Sequence, residues 1–125
     1  MFRADISSVD GFYTQSSDRR LKKDIKNMNS VLTKAGNLKP STDYMIDDIK
    51  KSGRSVGFIA QEVELLFPEL VREADEGFMG LVYDGVAVIA IKAIQKQKTQ
   101  IDALNAENKE LKKEIQEIKT IIEKK

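Results

Sequence analysis

From Asp84 to Lys125 the sequence reads as one uninterrupted helix with a self-associating seam, and this constrains the chain more than any other stretch. With Ile94 at heptad position a, the a series is Ala87, Ile94, Ile101, Asn108, Ile115, Ile122, and the d series is Ala90, Gln97, Leu104, Leu111, Ile118. Apolar residues thus recur at the coiled-coil period of about 3.5 residues through roughly four heptads, which predicts a coiled coil. Glu107 and Glu114 fall at g, and Lys112 and Lys119 at e. In a parallel assembly each g carboxylate then meets the e ammonium five residues on in a neighbour. Such pairs set partner and register more than stability, since exposed ion pairs contribute only about 0–1 kcal/mol each.

The residues leave oligomer order open. Ile at both a and d, as at Ile115 and Ile118, favours trimers or tetramers, whereas Ile101 and Ile115 at a with Leu104 and Leu111 at d is the dimer pattern. Asn108 and Gln97 face the axis and act as register devices, because a one-heptad slip would bury an amide against Ile without a partner. The competing reading, a long helix packed on its own chain, suffers from the polarity of residues 105–125.

At 125 residues the chain holds one domain plus an extended tail, or at most two small units. Twenty-one basic and 20 acidic residues give a net charge of +1, so no global field favours nucleic acid or an anionic membrane, and neither is expected as a partner. With no Cys and no His, disulfides, thiolate chemistry, the usual zinc ligand and the usual general base are all excluded; no metal or cofactor is expected. Any catalysis must come from Ser, Thr, Lys, Tyr, Asp or Glu. No apolar run approaches a membrane span, and no export signal follows Met1, which fits a chain working in the cytoplasm or a piece of something larger.

Before the seam, the pattern predicts a small α+β head. Phe2, Ala4 and Ile6, then Val9, Phe12 and Tyr13, alternate around Asp10-Gly11, a hairpin signature. Alone this hairpin would be unstable, so residues 1–16 read as the end of an upstream β-rich region. A helix is predicted from Asp24, with Ile25, Met28, Leu32 and Ala35 on one face and Gly36 at its end, before Pro40. Thr42, Tyr44 and Ile46 alternate as a strand, and Asp47 to Gly53 is a charged loop. A second helix is predicted within Ser55 to Phe67, stopped by Pro68, with Ile59, Val63, Leu66 and Phe67 as its apolar face. Leu70-Val71 and Phe78 to Tyr83 read as strands around an acidic turn, with Phe58, Phe67, Leu70 and Val71 as core. Asp84 is the expected N-cap of the long helix. The boundaries predicted are thus 1–16, 17–83 and 84–125.

Three stretches occur in a fixed order: Ser17-Asp18-Arg19-Arg20-Leu21-Lys22; Gly57-Phe58-Ile59-Ala60-Gln61-Glu62-Val63 with Phe67-Pro68-Glu69-Leu70-Val71; and Tyr83 leading to Ala90-Ile91-Lys92-Ala93-Ile94 and the seam. Together they resemble the C-terminal intramolecular chaperone domain of endosialidase-type phage tailspikes, tail fibres and neck appendages. That self-cleaving serine peptidase family also includes the myelin regulatory factors. The resemblance covers Ser17 to about Ile118. It implies a homotrimer that nucleates folding of the upstream fibre region of the same chain in the host cytoplasm. It also implies release from the mature fibre by cleavage between Ser16 and Ser17, with Ser17 as nucleophile and Lys22 as general base. The seam residues Ile94, Ile101, Leu104, Asn108, Leu111, Ile115, Ile118 and Ile122 would then form a parallel, trimeric coiled coil.

A Ser-Lys dyad suits a chain without His. Neutral lysine is scarce, however: with a reference pKa of ~10.4, about four molecules in ten thousand are deprotonated at neutral pH. Burial and nearby positive charge favour the neutral form, and Arg19, Arg20 and Lys23 are the expected sources of that charge, with Asp18 beside them. Spacing raises a difficulty: on a straight strand residues 17 and 22 would lie on opposite faces, so either the motif turns or Lys22 comes from another subunit. Gln61 and Glu62 face the cleavage site, a neighbouring chain, or only solvent. Two other classes compete. One is a non-catalytic trimerisation module in which residues 17–23 are a linker. The other, a leucine-zipper regulator, is opposed by the apolar run Val86 to Ile91 where a basic region would be needed.

Overall fold

The computed structural model describes residues 6–9, 12–46 and 53–124. Strands β1 (Ile6–Val9) and β2 (Phe12–Gln15) pair antiparallel, Val9 opposite Phe12 and Ile6 opposite Gln15, as the hairpin signature predicts. The turn residues Asp10-Gly11 and the early positions Phe2 and Ala4 lie outside the described residues. An exposed arm, residues 16–30, then leads to a single helical turn, α1 (Leu32–Ala35).

The helix expected from Asp24 does not form. Asp24 has φ of 53°, a left-handed conformation that no helix continues through, and Ile25 and Met28 are exposed. The reason is local: Asn27, Asn29 and Ser30 are residue types that are poor helix formers, because such side chains compete with the helix for backbone hydrogen bonds. Only the last turn of the predicted helix survives, where Ala35, with Val31 just before the turn, packs against the core.

Strands β3 (Ser41–Asp43) and β4 (Ser55–Gly57) pair antiparallel, Ser41 opposite Gly57. Arg54 fastens this hairpin, its Nε donating to Thr42 Oγ1 at 2.9 Å and its Nη2 to the Thr42 carbonyl at 3.0 Å. Most of the predicted loop, residues 47–52, lies outside the described residues. The second predicted helix is thus shorter than its pattern. Ser55 to Gly57 are drawn into a strand pair, and α2 (Ala60–Leu66) starts only after Ile59, whose extended backbone marks the boundary.

Pro68 fixes a 3-10 turn (Pro68–Leu70), after which β5 (Val71–Glu73) and β6 (Met79–Leu81) form a third antiparallel hairpin. Its turn passes through Glu76 and Gly77, both at positive φ (60° and 79°). Helix α3 (Tyr83–Glu123) follows at once. Its N-cap is Val82, with no side-chain capping bond, so Asp84 lies one residue inside the helix rather than capping it. A carboxylate in the first turn still favours the helix dipole.

The result is α+β: among the described residues there are three two-stranded sheets, two short α-helices and one long one. The core is Val63, Phe67, Leu70, Val71 and Ile89, flanked by Val31, Ala35, Leu38, Phe58, Leu66, Met79, Leu81 and Val86. Helix α2 and the β5–β6 hairpin supply one side, and α1 and the first turns of α3 the other. Ala93 is the last buried residue of α3; from Ile94 to Lys124 every residue is exposed.

Candidate functional site

The expected Ser17 and Lys22 side chains meet within one chain: Lys22 Nζ donates to Ser17 Oγ at 2.8 Å. A one-turn 3-10 helix, Arg19–Leu21, resolves the spacing difficulty by turning the chain back on itself. Asp18 starts it. Its Oδ1 accepts from the Arg20 backbone N–H at 2.8 Å, a capping bond that satisfies a donor the turn leaves free. The Leu21 and Lys22 N–H groups donate to the carbonyls of Asp18 and Arg19 at 3.0 and 3.1 Å and close the turn. Lys22 leaves in an extended conformation, and its side chain returns to Ser17.

Arg20 holds the same carboxylate from the other side, Nε to Oδ1 at 3.1 Å and Nη2 to Oδ2 at 2.9 Å. This side-chain contact, and then the backbone bond, keep the Asp18 carboxyl below its ordinary range. Asp18 is therefore already engaged, whereas Asp24, two residues beyond Lys22, is exposed and lies off the groove described next. Arg19 and Lys23 are exposed and do not line the groove described next.

Ser17 and Lys22 open onto a groove of about 330 Å³. One wall is the end of β2 and the residues after it, Gln15, Ser16 and Ser17; the opposite wall is Val82, Asp84, Gly85 and Val88. Ser16 and Ser17 thus line the same groove as Lys22 and the first turns of α3. Gly85 lets α3 come this close to the core, because a Cβ there would collide with Leu70 Cδ2. The α3 wall was not foreseen among the site residues, although a Gly in the first turn of an otherwise apolar helix was a visible sign of close approach.

Gln61 and Glu62 are exposed and line neither wall. Gln61 borders a separate cleft with Phe58, Met79 and Tyr83, and Glu62 another with Asn37, Lys39 and Leu65. The first part of the Gly57-Phe58-Ile59-Ala60-Gln61-Glu62-Val63 motif has a packing role instead. A Cβ on Gly57 would sit 2.7 Å from the Tyr83 hydroxyl, which accepts a long hydrogen bond from the Phe58 N–H at 3.4 Å. This fixes β4 against the start of α3.

The seam positions Ile94, Ile101, Leu104, Leu111, Ile115, Ile118 and Ile122 are all exposed, and Asn108 lies among them. Among the described residues no group of acidic side chains is placed to hold a metal ion, and no helix is long and apolar enough to cross a membrane.

Two similarities to known proteins bear on this site. The long tail fibre protein Gp37 of Salmonella phage S16 is 34% identical over 119 residues, covering 86% of this chain. The chain spans only 14% of the length of that relative. Residues 17–72 match the family model Peptidase S74, described as the chaperone of endosialidase. The matched stretch opens on Ser17 itself and contains the dyad turn, the Gly57 motif and most of the core, and on these grounds the chain belongs to the chaperone-of-endosialidase family.

Proposed function

We propose that the chain is the assembly aid of a phage fibre: it trimerises through α3, holds three upstream fibre segments in register while they fold, and is then severed between Ser16 and Ser17. The observation that carries this reading is the 2.8 Å contact between Lys22 Nζ and Ser17 Oγ, beside the peptide to be cut. Cleavage runs in two steps. Neutral Lys22 takes the Ser17 hydroxyl proton as Oγ attacks the Ser16 carbonyl carbon. The C–N bond then breaks, the proton passes to the leaving Ser17 nitrogen, and an ester joins Ser16 to Ser17 Oγ. Water adds to that ester, releasing the Ser16 carboxylate and restoring the Ser17 hydroxyl.

Association is supported by the surface the single chain leaves open. Its accessible area is 11503 Å², against about 6,700 Å² for a compact monomer of this mass. Much of the excess belongs to α3, whose apolar stripe is exposed from Ile94 onward. Three parallel copies would bury it and bring three heads, and three upstream ends, to one place. Intertwined strands pair slowly because loop closure must precede contact, and a raised local concentration removes part of that cost. Cleavage afterwards separates the folded fibre from its aid, so that unfolding becomes kinetically trapped. This sequence of events takes place in the host cytoplasm during virion assembly, and the finished fibre leaves without the aid.

A second reading, a non-catalytic trimerisation module, is favoured by the full exposure of Ser17 and Lys22 in the single chain. Intact mass of the full-length parent fibre chain separates the two. Autocleavage yields a fragment beginning at Ser17, which Ser17→Ala abolishes; a parent chain that stays whole in its native assembly leaves only the module.

A further inference from the structure

Within the groove that holds Ser17 and Lys22, the other charged side chain is Asp84. We propose that Asp84 is a positioning residue for the self-cleavage described above: its carboxylate, in the groove that Lys22 also lines, stabilises the ammonium that Lys22 becomes on taking the Ser17 proton. This inference rests on the cleavage reading.

Three observations converge on it. The sequence marks Asp84 as a helix N-cap, yet α3 is capped by Val82 without a side-chain bond, so the carboxylate has no capping bond. The competing acid, Asp18, is occupied by the Arg20 guanidinium and backbone. The remaining lining residues, Gln15, Ser16, Val82, Gly85 and Val88, are uncharged, and Asp24 of the arm does not line the groove, so Asp84 is the one acid among the residues that line it. Asp84 makes no ion pair with Lys22 within 4.0 Å among the described residues, because Lys22 Nζ is turned to Ser17 Oγ. Its influence is exerted through space or through one bridging water.

The role parallels that of the acid in a Ser-His-Asp triad, which orients the base and stabilises its protonated form without itself taking the proton. A carboxylate in the groove favours the protonated base, so it speeds proton transfer from Ser17 to Lys22. Removing it lowers the high-pH plateau of cleavage and shifts the rise of the rate to lower pH.

The test uses the full-length parent fibre chain, with cleavage followed by intact mass from pH 6 to 10. Asp84→Asn is expected to show both changes and Asp84→Glu to restore the parent profile, while Ser17→Ala stays uncut throughout. Should Asp84→Asn lose the assembled state, Asp84→Ser, which still suits the first turn of a helix, carries the same expectation. An acid serving only the helix terminus would alter stability and leave the midpoint in place. A parent that cleaves through Ser17 with the same midpoint in Asp84→Asn overturns this inference alone; a parent that never cleaves overturns the cleavage reading and this inference with it.

Discussion

Replacing Gly57 with Ala tests how the family motif fixes the head to the long helix. Gly57 has ordinary strand dihedrals rather than a positive φ, so the backbone itself accepts Ala. The obstacle is the Tyr83 hydroxyl, 2.7 Å from the position of a Cβ, while the ring carbon behind it lies at 3.7 Å, an ordinary contact. Tyr83 is 52% exposed, so its ring can swing outward. Doing so gives up the bond from the Phe58 N–H and part of the ring's burial, and Gly57→Ala should cost about 0.5–2 kcal/mol.

The same structure predicts that the cost vanishes when the oxygen is removed. Tyr83→Phe alone loses a hydrogen bond already long at 3.4 Å, worth about 0.5–1 kcal/mol. In that background Gly57→Ala meets only the ring at van der Waals distance, and the reduced freedom of the unfolded chain stabilises the head by up to about 1 kcal/mol. A double-mutant cycle should therefore show a coupling of about 1 kcal/mol or more, with the Gly57→Ala effect changing sign or falling to zero. Urea unfolding followed by circular dichroism supplies the four values. All must be taken at one protomer concentration, since association alters apparent stability. A Gly57→Ala cost that is the same within 0.3 kcal/mol in both backgrounds, roughly the additivity expected of independent sites, would refute the reasoning.

Two further outcomes follow from the same packing and electrostatics. Phe67, 1% exposed at the centre of the core, should cost about 3–5 kcal/mol when truncated to Ala. That rivals the total stability of a head of this size, about 3–10 kcal/mol, so limited proteolysis should open residues 31–81 in Phe67→Ala. At the dyad turn, the Asp18 carboxyl should titrate below its ordinary value of 3.8 and return towards it in Arg20→Ala, as read by the carboxyl carbon resonance. The sign is fixed by the depressed value: the turn's stabilisation is complete above the ordinary carboxylate range and is lost as pH falls through the lowered value.

What the sequence disclosed depended on how local each determinant is. The long helix, the β1–β2 pair and the β5–β6 hairpin were legible because periodicity and turn residues act within a few positions. The helix predicted from Asp24 failed because the spacing of Ile25 and Met28 was helical while Asn27, Asn29 and Ser30 were not helix formers. With Ile25 and Met28 exposed, no burial offsets that deficit. The strand at Ser55–Gly57 was illegible for the opposite reason: its partner lies 14 residues away at Ser41–Asp43, and the pairing overrides the local pattern. In the site, Ser17 and Lys22 could be named from the motif, but the turn that joins them had to be seen. The opposing wall from Val82 to Val88 comes from more than 60 residues along the chain, a distance no spacing argument reaches.

The contrast between these two parts of the site bears on timing. Ser17, Asp18, Arg20 and Lys22 are brought together by a turn of six residues, and closures of that length take far less than a microsecond. A dyad built so locally forms long before three chains meet. If the turn sufficed for cleavage, the assembly aid would be lost before it could act. Under the reading proposed here the rate must be set by what the local segment lacks: neutral lysine, a dry groove and a stabilised ammonium. In the single chain Ser17 and Lys22 are exposed to water. The groove's second wall belongs to α3, the element proposed to join the three copies, so association is positioned to change the dyad's surroundings without rebuilding the dyad. Under that reading, cleavage that follows trimer formation requires no separate switch, only a change in the surroundings of a groove whose second wall the associating helix already supplies.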